Sequence, residues 1–316
     1  MKAPSRTATV ILLAALAASL PLFLGPYPQA IGQVVFLYMS LALSWDMLLR
    51  SGQISFGIAG FFGLGAYTSV IAVLDLHVAP VVSILLGALV SGGIAYLLGL
   101  VVLRLRGMYF AIVTLALAEI FRIIMSNWTS LTGGTQGRVL DSVIFAGSSR
   151  SLYWVMLCVA AATIICSEVF RRTRIHFALT SIRDDEVAAA SSGINITRYL
   201  AVAFGVASAL QGLTGAAYAQ VYGFVTPDGS FSVDFTLLPL AMALLGGIYG
   251  TVGPIIGAVL LGVIGEYLKL FIPYGHQIAY GLIVTVVILF MPRGIAGLAR
   301  RLRGGRSTDS APEGRP

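Results

Sequence analysis

The sequence predicts an all-α protein, a polytopic bundle of about ten membrane-spanning helices. Three observations predict it: the composition, the length of the apolar stretches and the placement of the basic residues. The 316 residues have a mean hydropathy of +0.92, with 58% hydrophobic and 10% charged residues. A chain of this kind has too little polar surface for a water-soluble domain, so lipid must solvate most of it.

The apolar stretches set the number of spans, because a helix needs about 20 residues to cross the hydrocarbon. We interpret the first stretch as a retained span rather than a cleaved signal peptide, since further spans follow at once. Gly and polar residues interrupt the third, eighth and tenth stretches, which are therefore open to being short or re-entrant helices. The ten stretches are residues 9–25, 30–49, 55–74, 79–103, 107–126, 151–170, 199–221, 235–250, 253–272 and 277–291.

The net charge of +7 indicates membrane topology rather than nucleic-acid binding, because Lys and Arg collect on cytoplasmic connections. With ten spans and a cytoplasmic N-terminus, all but four of the 20 basic residues lie at the cytoplasmic side. We therefore expect both termini to be cytoplasmic. The four exceptions are Arg122, Arg138, Arg150 and Lys269.

Two domains follow from this reading. Residues 1–298 form the transmembrane domain, with one long outer connection at 127–150 and one long inner connection at 171–198. Residues 299–316 are rich in Arg, Gly, Ser and Pro. We expect this segment to be a disordered cytoplasmic tail held near anionic lipid.

The inner connection concentrates charge in the sequence SIRDDEVAAASSG, residues 181–193. Ser181 precedes Asp184 by three residues, the spacing of a helix capping signature, and acids in the first turns suit the helix dipole. Gly193 is a natural helix end. The pattern predicts a helix over 182–192 that must pack on something, since a helix this short is marginal alone in water. The spacing alone leaves open a solvated helical loop without a partner.

Five stretches give the chain a family resemblance. In their order and spacing, from about residue 30 to 298, they resemble the LivM-type permease subunits of ABC importers for branched-chain amino acids. The stretches are SGQISFGIAGFFGLGAYTS (51–69), RLRGMYFAIVTLALAEIFR (104–122), NWTSLTGGTQG (127–137), SIRDDEVAAASSGINITRYL (181–200) and GFVTPDGSFSVDFTLLPLAMALLGGIYGTVGPIIGAVLL (223–261).

The resemblance implies that the charged helix is a coupling helix, which docks on a separate ATPase subunit. It also implies a bacterial inner-membrane location and several partners: a second, LivH-type permease, two ABC ATPases and an external substrate-binding protein. The residues assigned to ATPase coupling are Arg183, Asp184, Asp185, Glu186, Ala189 and Gly193.

The sequence gives no support to an enzyme. A P-loop requires a Lys after a Gly-rich turn, and neither Lys2 nor Lys269 follows such a pattern. No nucleophile, base and orienting acid share a polar pocket, and the three histidines have no metal-ligand spacing. We expect this chain to bind no cofactor or metal, with ATP and magnesium held by the ATPase subunits.

A second set of residues is assigned to the translocation path or an outer gate. Glu119 and Arg122 share one face of the fifth span, where either path electrostatics or a structural ion pair would suit them. The polar loop LTGGTQG is suited to a binding-protein contact or to an ordinary turn. The Gly-rich third span favours close helix packing over substrate contact. The assigned residues are Ser55, Tyr67, Glu119, Arg122, Thr132, Gly133 and Gly134.

The leading hypothesis is thus an ABC importer permease for Leu, Ile, Val or related neutral amino acids, the substrates that the resemblance implies. An ABC permease for urea, amides or aromatic acids is the first alternative. An ion-coupled secondary transporter is the second, and it requires several buried acids at mid-membrane.

Overall fold

The computed structural model describes residues 17–23, 25–141 and 143–272, together with residues 275, 278, 281, 282, 285 and 295. Most of the predicted first span, most of the tenth and the basic tail from 299 to 316 lie outside the described residues. The described chain is predominantly helical, and two two-residue strands pair antiparallel with Arg138 opposite Val225.

The described residues form helices joined by short connections, with one small two-stranded sheet. The helices are α1 (17–23), α2 (Pro26–Leu49), α3 (Ile58–Leu74), α4 (Pro80–Val102), α5 (Met108–Asn127), α6 (Thr129–Thr132), α7 (Ser149–Arg172), α8 (Arg174–Asp184), α9 (Glu186–Ser191), α10 (Ile196–Tyr222), α11 (Pro227–Ser230), α12 (Asp234–Gly246) and α13 (Val252–Phe271). The strands are β1 (Arg138–Val139) and β2 (Phe224–Val225), and 3-10 turns cover Gly134–Gln136 and Ile144–Gly147.

Seven helical stretches among the described residues are long and apolar enough to cross a membrane. Six are the single helices α2, α4, α5, α7, α10 and α13, and the seventh is 227–246, which residues 231–233 interrupt between α11 and α12. The predicted third and eighth spans are the short helices α3, with 17 residues, and α12, with 13. The predicted all-α membrane bundle is confirmed, whereas the count of ten spans is not.

Helices α2 and α10 form the centre of the bundle, and small residues allow their neighbours to approach closely. A Cβ at Gly212 of α10 would lie 2.3 Å from the Ser91 Oγ of α4, and one at Gly65 of α3 would lie 2.1 Å from the Gly212 carbonyl oxygen. A Cβ at Gly246 of α12 would similarly lie 1.8 Å from the carbonyl oxygen of Gly253. These glycines serve helix packing, the interpretation that the sequence favoured.

The peripheral helices α4, α5 and α13 present apolar side chains outward. Leu89, Leu97 and Val101 of α4 are exposed, as are Met108 and Ile112 of α5. Exposed apolar side chains along a helix are typical of a surface that faces lipid.

The connections gather at two ends of the bundle. At one end, which we call the α8–α9 end, Arg106 pairs with Glu186, and Gly52 packs against Arg183. At the other, the β1–β2 end, Arg138 pairs with Asp75. The connections that follow α2 and α4 thus lie at one end, and those that follow α3 and α5 lie at the other.

Candidate functional site

The predicted coupling segment is built as two consecutive helices, not as one. Helix α8 begins at Arg174 and ends at Asp184, and α9 follows from Glu186 to Ser191. Asp185 lies between them in extended conformation, and its Oδ1 accepts hydrogen bonds from the N–H groups of Val187 (2.9 Å) and Ala188 (3.0 Å). Asp185 is therefore the N-cap of α9.

The predicted start of this helix was wrong, whereas its end is confirmed. Ser181 lies inside α8, where its hydroxyl donates to the Phe177 carbonyl (3.1 Å) and caps nothing. Gly193 adopts the left-handed conformation, with φ +81°. Its N–H donates to Ala190 O and that of Ile194 donates to Ala189 O, the paired bonds of a Schellman motif. Asp185, an equally good cap four residues downstream, replaces Ser181 because α8 already extends through 181.

One face of this two-helix unit, α8 and α9, is buried against the bundle. Leu179, Ile182 and Ala189 join a hydrophobic cluster with Leu103 and Phe170, among others, and each of the three is at most 5% exposed. Ala189, assigned to ATPase coupling, thus anchors α9 to the bundle and is covered by this chain's own side chains. Burial of small apolar side chains is what holds so short a helix in place.

Glu186, also assigned to coupling, binds within this chain. Its carboxylate accepts from Arg106 Nε (3.0 and 3.1 Å) and from Arg106 Nη2 (2.6 Å), a bidentate arrangement. Arg106 lies between α4 and α5, so the pair ties the first turn of α9 to that connection. A bidentate Arg–carboxylate pair fixes orientation as well as distance.

The opposite face of the two-helix unit is exposed and partly apolar. Phe177 on α8 is 66% exposed and Val187 on α9 is 76% exposed. Arg174, at the start of α8, is also exposed. The remaining exposed side chains are small or acidic, namely Ser181, Asp184, Asp185, Ala188, Ala190, Ser191 and Ser192.

A buried ion pair lies beneath the two-helix unit, at the end of α2. Asp46 and Arg50 are 0% and 1% exposed and are joined at 2.9 Å. Arg50 also donates to the hydroxyl of Ser167 on α7 (2.9 Å), and Asp46 Oδ1 accepts from the N–H of Tyr249 (2.6 Å). The network connects α2, α7 and the loop between α12 and α13. Charges so deeply buried require the pairing and the additional hydrogen bonds that they have here.

Arg183 connects the two-helix unit to that same loop. Its guanidinium lies over the ring of Tyr249, 4.6 Å from the ring centroid, and its Nη2 is 3.1 Å from the carboxylate of Asp184. Its Cγ also lies 3.2 Å from where a Cβ of Gly52 would be. Arg183 is therefore part of an internal contact, although the sequence assigned it to the rim of a docking surface.

His176 on α8 is a titratable group whose environment includes several arginines. Burial, and then the charges of Arg50, Arg171 and Arg183, lower the pKa of its imidazole. Its Nδ1 is buried and has no hydrogen-bond partner among the described residues. The imidazole is therefore neutral at pH 7.

The pair Glu119 and Arg122 forms at the β1–β2 end as the i, i+3 spacing predicted. Arg122 Nη2 lies 2.6 Å from Glu119 Oε1, and Arg122 Nη1 lies 2.7 Å from Asp228 Oδ1 on α11. All three side chains are partly or largely exposed, and Asp228 is 83% exposed. This geometry ties α11 to α5, and both roles considered for the pair, path electrostatics and structure, remain compatible with it.

Ser55 and Tyr67 lie on or beside α3, and both are buried. The Ser55 hydroxyl accepts from the N–H of Gly57 (3.2 Å), and its carbonyl accepts from Trp45 Nε1 (3.0 Å). The Tyr67 ring stacks on Phe231 at 6.1 Å, and its hydroxyl has no hydrogen-bond partner among the described residues. Ser55 thus satisfies the backbone at the start of α3, while the Tyr67 hydroxyl remains available.

The loop with Thr132, Gly133 and Gly134 is held by internal hydrogen bonds. The Thr132 hydroxyl lies 2.6 Å from Met125 O and 2.7 Å from Trp128 O, and it accepts from the N–H of Gly134. Gly133 and Gly134 both have positive φ. Thr132 therefore builds the turn, and its hydroxyl is used internally.

The structure brings only some of the predicted residues together. It groups Arg183, Asp184, Asp185 and Glu186 in one unit and places the outer residues in separate contacts. The sequence interpretation missed Asp46, Arg106 and Tyr249 as partners. The i, i+4 spacing of Asp46 and Arg50 within an apolar span was a signal that could have revealed the buried pair. Nothing local indicates Tyr249, about 200 residues away.

Comparisons with known proteins agree with the family resemblance. The family model for the permease component of branched-chain amino acid transport systems matches residues 29–292. The high-affinity branched-chain amino acid transport system permease protein LivM of Salmonella typhimurium is 31% identical over 309 residues, which cover 88% of this chain and 72% of the relative. LivM of Escherichia coli K12 is 28% identical, with 92% and 75% covered.

The sister permease LivH of Salmonella typhimurium matches more weakly, at 27% identity over 55% of this chain and 60% of the relative. No solved structure matches. The family model covers most of the chain, and the LivM relatives align with it nearly from end to end. This chain therefore belongs to the family of branched-chain amino acid transport permeases.

Proposed function

We propose that this chain is the LivM-type permease subunit of an ABC importer that moves branched-chain amino acids into a bacterial cytoplasm. Its partners are a LivH-type permease, two ATPase subunits and an external binding protein. The two-helix unit of α8 and α9 is the surface on which an ATPase docks. The α8–α9 end is cytoplasmic, as are both termini.

The observation that carries the proposal is the construction of the two-helix unit. It is fixed on one face by Ala189 and by the Glu186–Arg106 pair, and it presents Phe177 and Val187 on the other. A unit that transmits force needs both a rigid attachment and a free apolar face. Basic residues also gather at this end, which supports a cytoplasmic location.

The alternatives have less support. The matched relatives are named for branched-chain amino acid transport, which favours those substrates over urea, amides or aromatic acids. An ion-coupled transporter requires unpaired acids at mid-membrane. Among the described residues, Asp46 is the one buried acid, and Arg50 pairs with it.

Reconstitution tests the transport activity. The chain is placed in liposomes with a LivH-type permease, the ATPases and the binding protein, and uptake of labelled leucine is measured with and without ATP. We expect uptake only with ATP and the complete set of subunits. Uptake by this chain alone, driven by a proton or sodium gradient, would overturn the proposal.

Docking is tested with two matched valines. Val187 on α9 and Val139 at the β1–β2 end are 76% and 71% exposed, so substitution with Asp disturbs neither interior. We expect Val187→Asp to reduce co-purification of the ATPase at least about tenfold, since a central apolar anchor contributes about 2 kcal/mol or more to an interface. Val139→Asp leaves it unchanged. If the ATPase co-purified equally with the two variants, α9 would not be part of the interface.

A further inference from the structure

We propose that Arg183 and Tyr249 form a latch between the two-helix unit and the loop of residues 247–251. In this state, the stacked pair holds the loop over the buried Asp46–Arg50 pair. Displacement of α8 by the ATPase withdraws Arg183 and releases the loop, which begins the opening of the α8–α9 end. The inference rests on the proposed function, because it requires an ATPase to move α8.

Tyr249 is held in an unfavourable backbone conformation. Its φ of +64° lies in the left-handed region, which a large non-Gly residue rarely occupies. Such a conformation persists only where its surroundings impose it, and the loop has an alternative conformation of lower local energy once they change. The loop is therefore suited to moving when its contacts are broken.

Two contacts of different strength impose that conformation. On the inner side, the N–H of Tyr249 donates to Asp46 Oδ1 at 2.6 Å, a charge-assisted bond to a carboxylate that is fully buried. On the outer side, the Tyr249 ring is 45% exposed and lies beneath the guanidinium of Arg183. The outer contact is the weaker one, because water competes for an exposed cation–π pair.

The buried network extends the effect of the loop into the bundle. Asp46 and Arg50 belong to α2, the central helix, and Arg50 also donates to Ser167 of α7. The loop joins α12 to α13, and the N–H of Tyr249 bonds it to Asp46 of this pair. Movement of the loop therefore changes how the ends of four helices are held together.

The backbone of Arg183 moves with the two-helix unit. It belongs to the last turn of α8, and its neighbours Leu179 and Ile182 are packed into the bundle. Its stem lies against Gly52, where no side chain obstructs it. A shift of α8 by a few ångströms thus removes the guanidinium from the Tyr249 ring, while the hydrogen bond between Tyr249 and Asp46 is still in place. Switching elements use this kind of bistable contact at an interface.

The latch is tested in the complete transporter in liposomes by the number of ATP molecules hydrolysed per leucine transported. The variants are Arg183→Gln, which removes the cation, and Tyr249→Leu, which removes the ring. Tyr249→Phe is the matched control, since it keeps the ring. We expect the ATP cost per leucine to rise at least about fivefold in the first two variants, the lower end of measured coupling between sites. It should not change in the control.

A double variant distinguishes a latch, in which the two side chains form one contact, from two side chains that act independently. Arg183→Gln combined with Tyr249→Leu should be no worse than the more affected single variant, because both remove the same contact. An unchanged ratio in the single variants would overturn the latch. So would loss of ATPase co-purification in Arg183→Gln, which would make Arg183 a docking residue instead.

The failure of the latch is distinguishable from failure of the proposed function. If the wild-type assembly shows no ATP-driven uptake, the proposed function is wrong before any variant is compared. If Tyr249→Leu does not fold, Arg183→Gln and Arg183→Lys decide the matter, since Arg183 is partly exposed at the surface. In that case Arg183→Lys, which keeps the cation, should retain most of the coupling that Arg183→Gln loses.

Discussion

The α8–α9 end contains one fully buried arginine–carboxylate pair besides the half-exposed Arg106–Glu186 pair, whereas the pairs described at the β1–β2 end are all partly exposed. At the α8–α9 end, Arg50 and Asp46 are almost entirely buried, and a backbone N–H and a serine complete their hydrogen bonding. At the β1–β2 end, Arg122 pairs with Asp228, which is 83% exposed. A buried pair holds the surrounding helices in one arrangement, whereas an exposed pair can exchange with water at little cost. In the proposed function, the α8–α9 end transmits a movement, whereas the Arg122–Asp228 pair at the β1–β2 end fastens α11 to α5.

The largest expected effect is that of breaking the buried pair. Asp46→Leu leaves Arg50 buried and unpaired, so we expect a loss of about 3–5 kcal/mol in stability. Thermal unfolding of the purified protein in detergent measures it. The double variant Asp46→Leu with Arg50→Met should recover part of the loss. A single variant as stable as the wild type would show that this end does not depend on the pair.

The second effect concerns the attachment of α9. Glu186→Gln and Arg106→Gln each remove one member of a half-exposed bidentate pair, and we expect a loss of about 0.5–1 kcal/mol for either. A double-mutant cycle on the melting temperature should show that the two losses are not additive. ATPase co-purification should fall in both variants, while Asp228→Asn, at an exposed acid of the β1–β2 end, serves as the control. Additive losses would mean that the two side chains act separately.

The third effect is at the β1–β2 end and depends on pH. Hydrogen bonding to Arg138 lowers the pKa of Asp75, and burial only partly opposes this. A lowered pKa in the folded state stabilises the protein above the unfolded pKa of about 3.9, and this contribution is lost as the pH falls through the folded pKa. Arg138→Gln should therefore cost about 0.5 kcal/mol at pH 7 and less at lower pH, where the hydrogen bond from Arg138 to the Leu131 carbonyl remains, by thermal unfolding at pH 7 and pH 2. An equal cost at both would exclude the ion pair as its cause.

The smallest effect is that of the most exposed pair. Asp228→Asn should change stability by less than about 0.5 kcal/mol, because water and Glu119 both remain available to Arg122. The comparison with Asp46→Leu is direct, since each variant removes an aspartate bound to an arginine. A loss at Asp228 as large as that at Asp46 would end the distinction between the two ends.

The sequence was sufficient to predict the helical bundle and the alternation of its connections, because both follow from apolar length and from charge. It was also sufficient to locate the segment that carries the two-helix unit and to identify Gly193 as its end. The predicted start of the helix was wrong, because Ser181 and Asp185 are both acceptable N-caps and only the burial of Leu179 and Ile182 decides between them.

The long-range contacts could not be predicted from the sequence, for a different reason. In the sequence, Glu186 resembles a docking residue. In the structure, Arg106, 80 residues earlier in the chain, binds its carboxylate. The loop at Thr132 has a polar, Gly-rich composition, but the Thr132 hydroxyl is bound by the carbonyl groups of Met125 in α5 and of Trp128, between α5 and α6. Contacts of this kind depend on the packing of whole helices, and local composition carries no signal of them.

The most direct test of the proposed function is to determine on which side of the membrane each end of the bundle lies. Val187→Cys and Val139→Cys are made separately in a background in which Cys158 and Cys166 are replaced by Ala, and intact cells are treated with a membrane-impermeant maleimide. The account predicts labelling at 139 in intact cells and at 187 only after the inner membrane is opened. Labelling at 187 in intact cells would place the two-helix unit outside, where no ATPase could reach it.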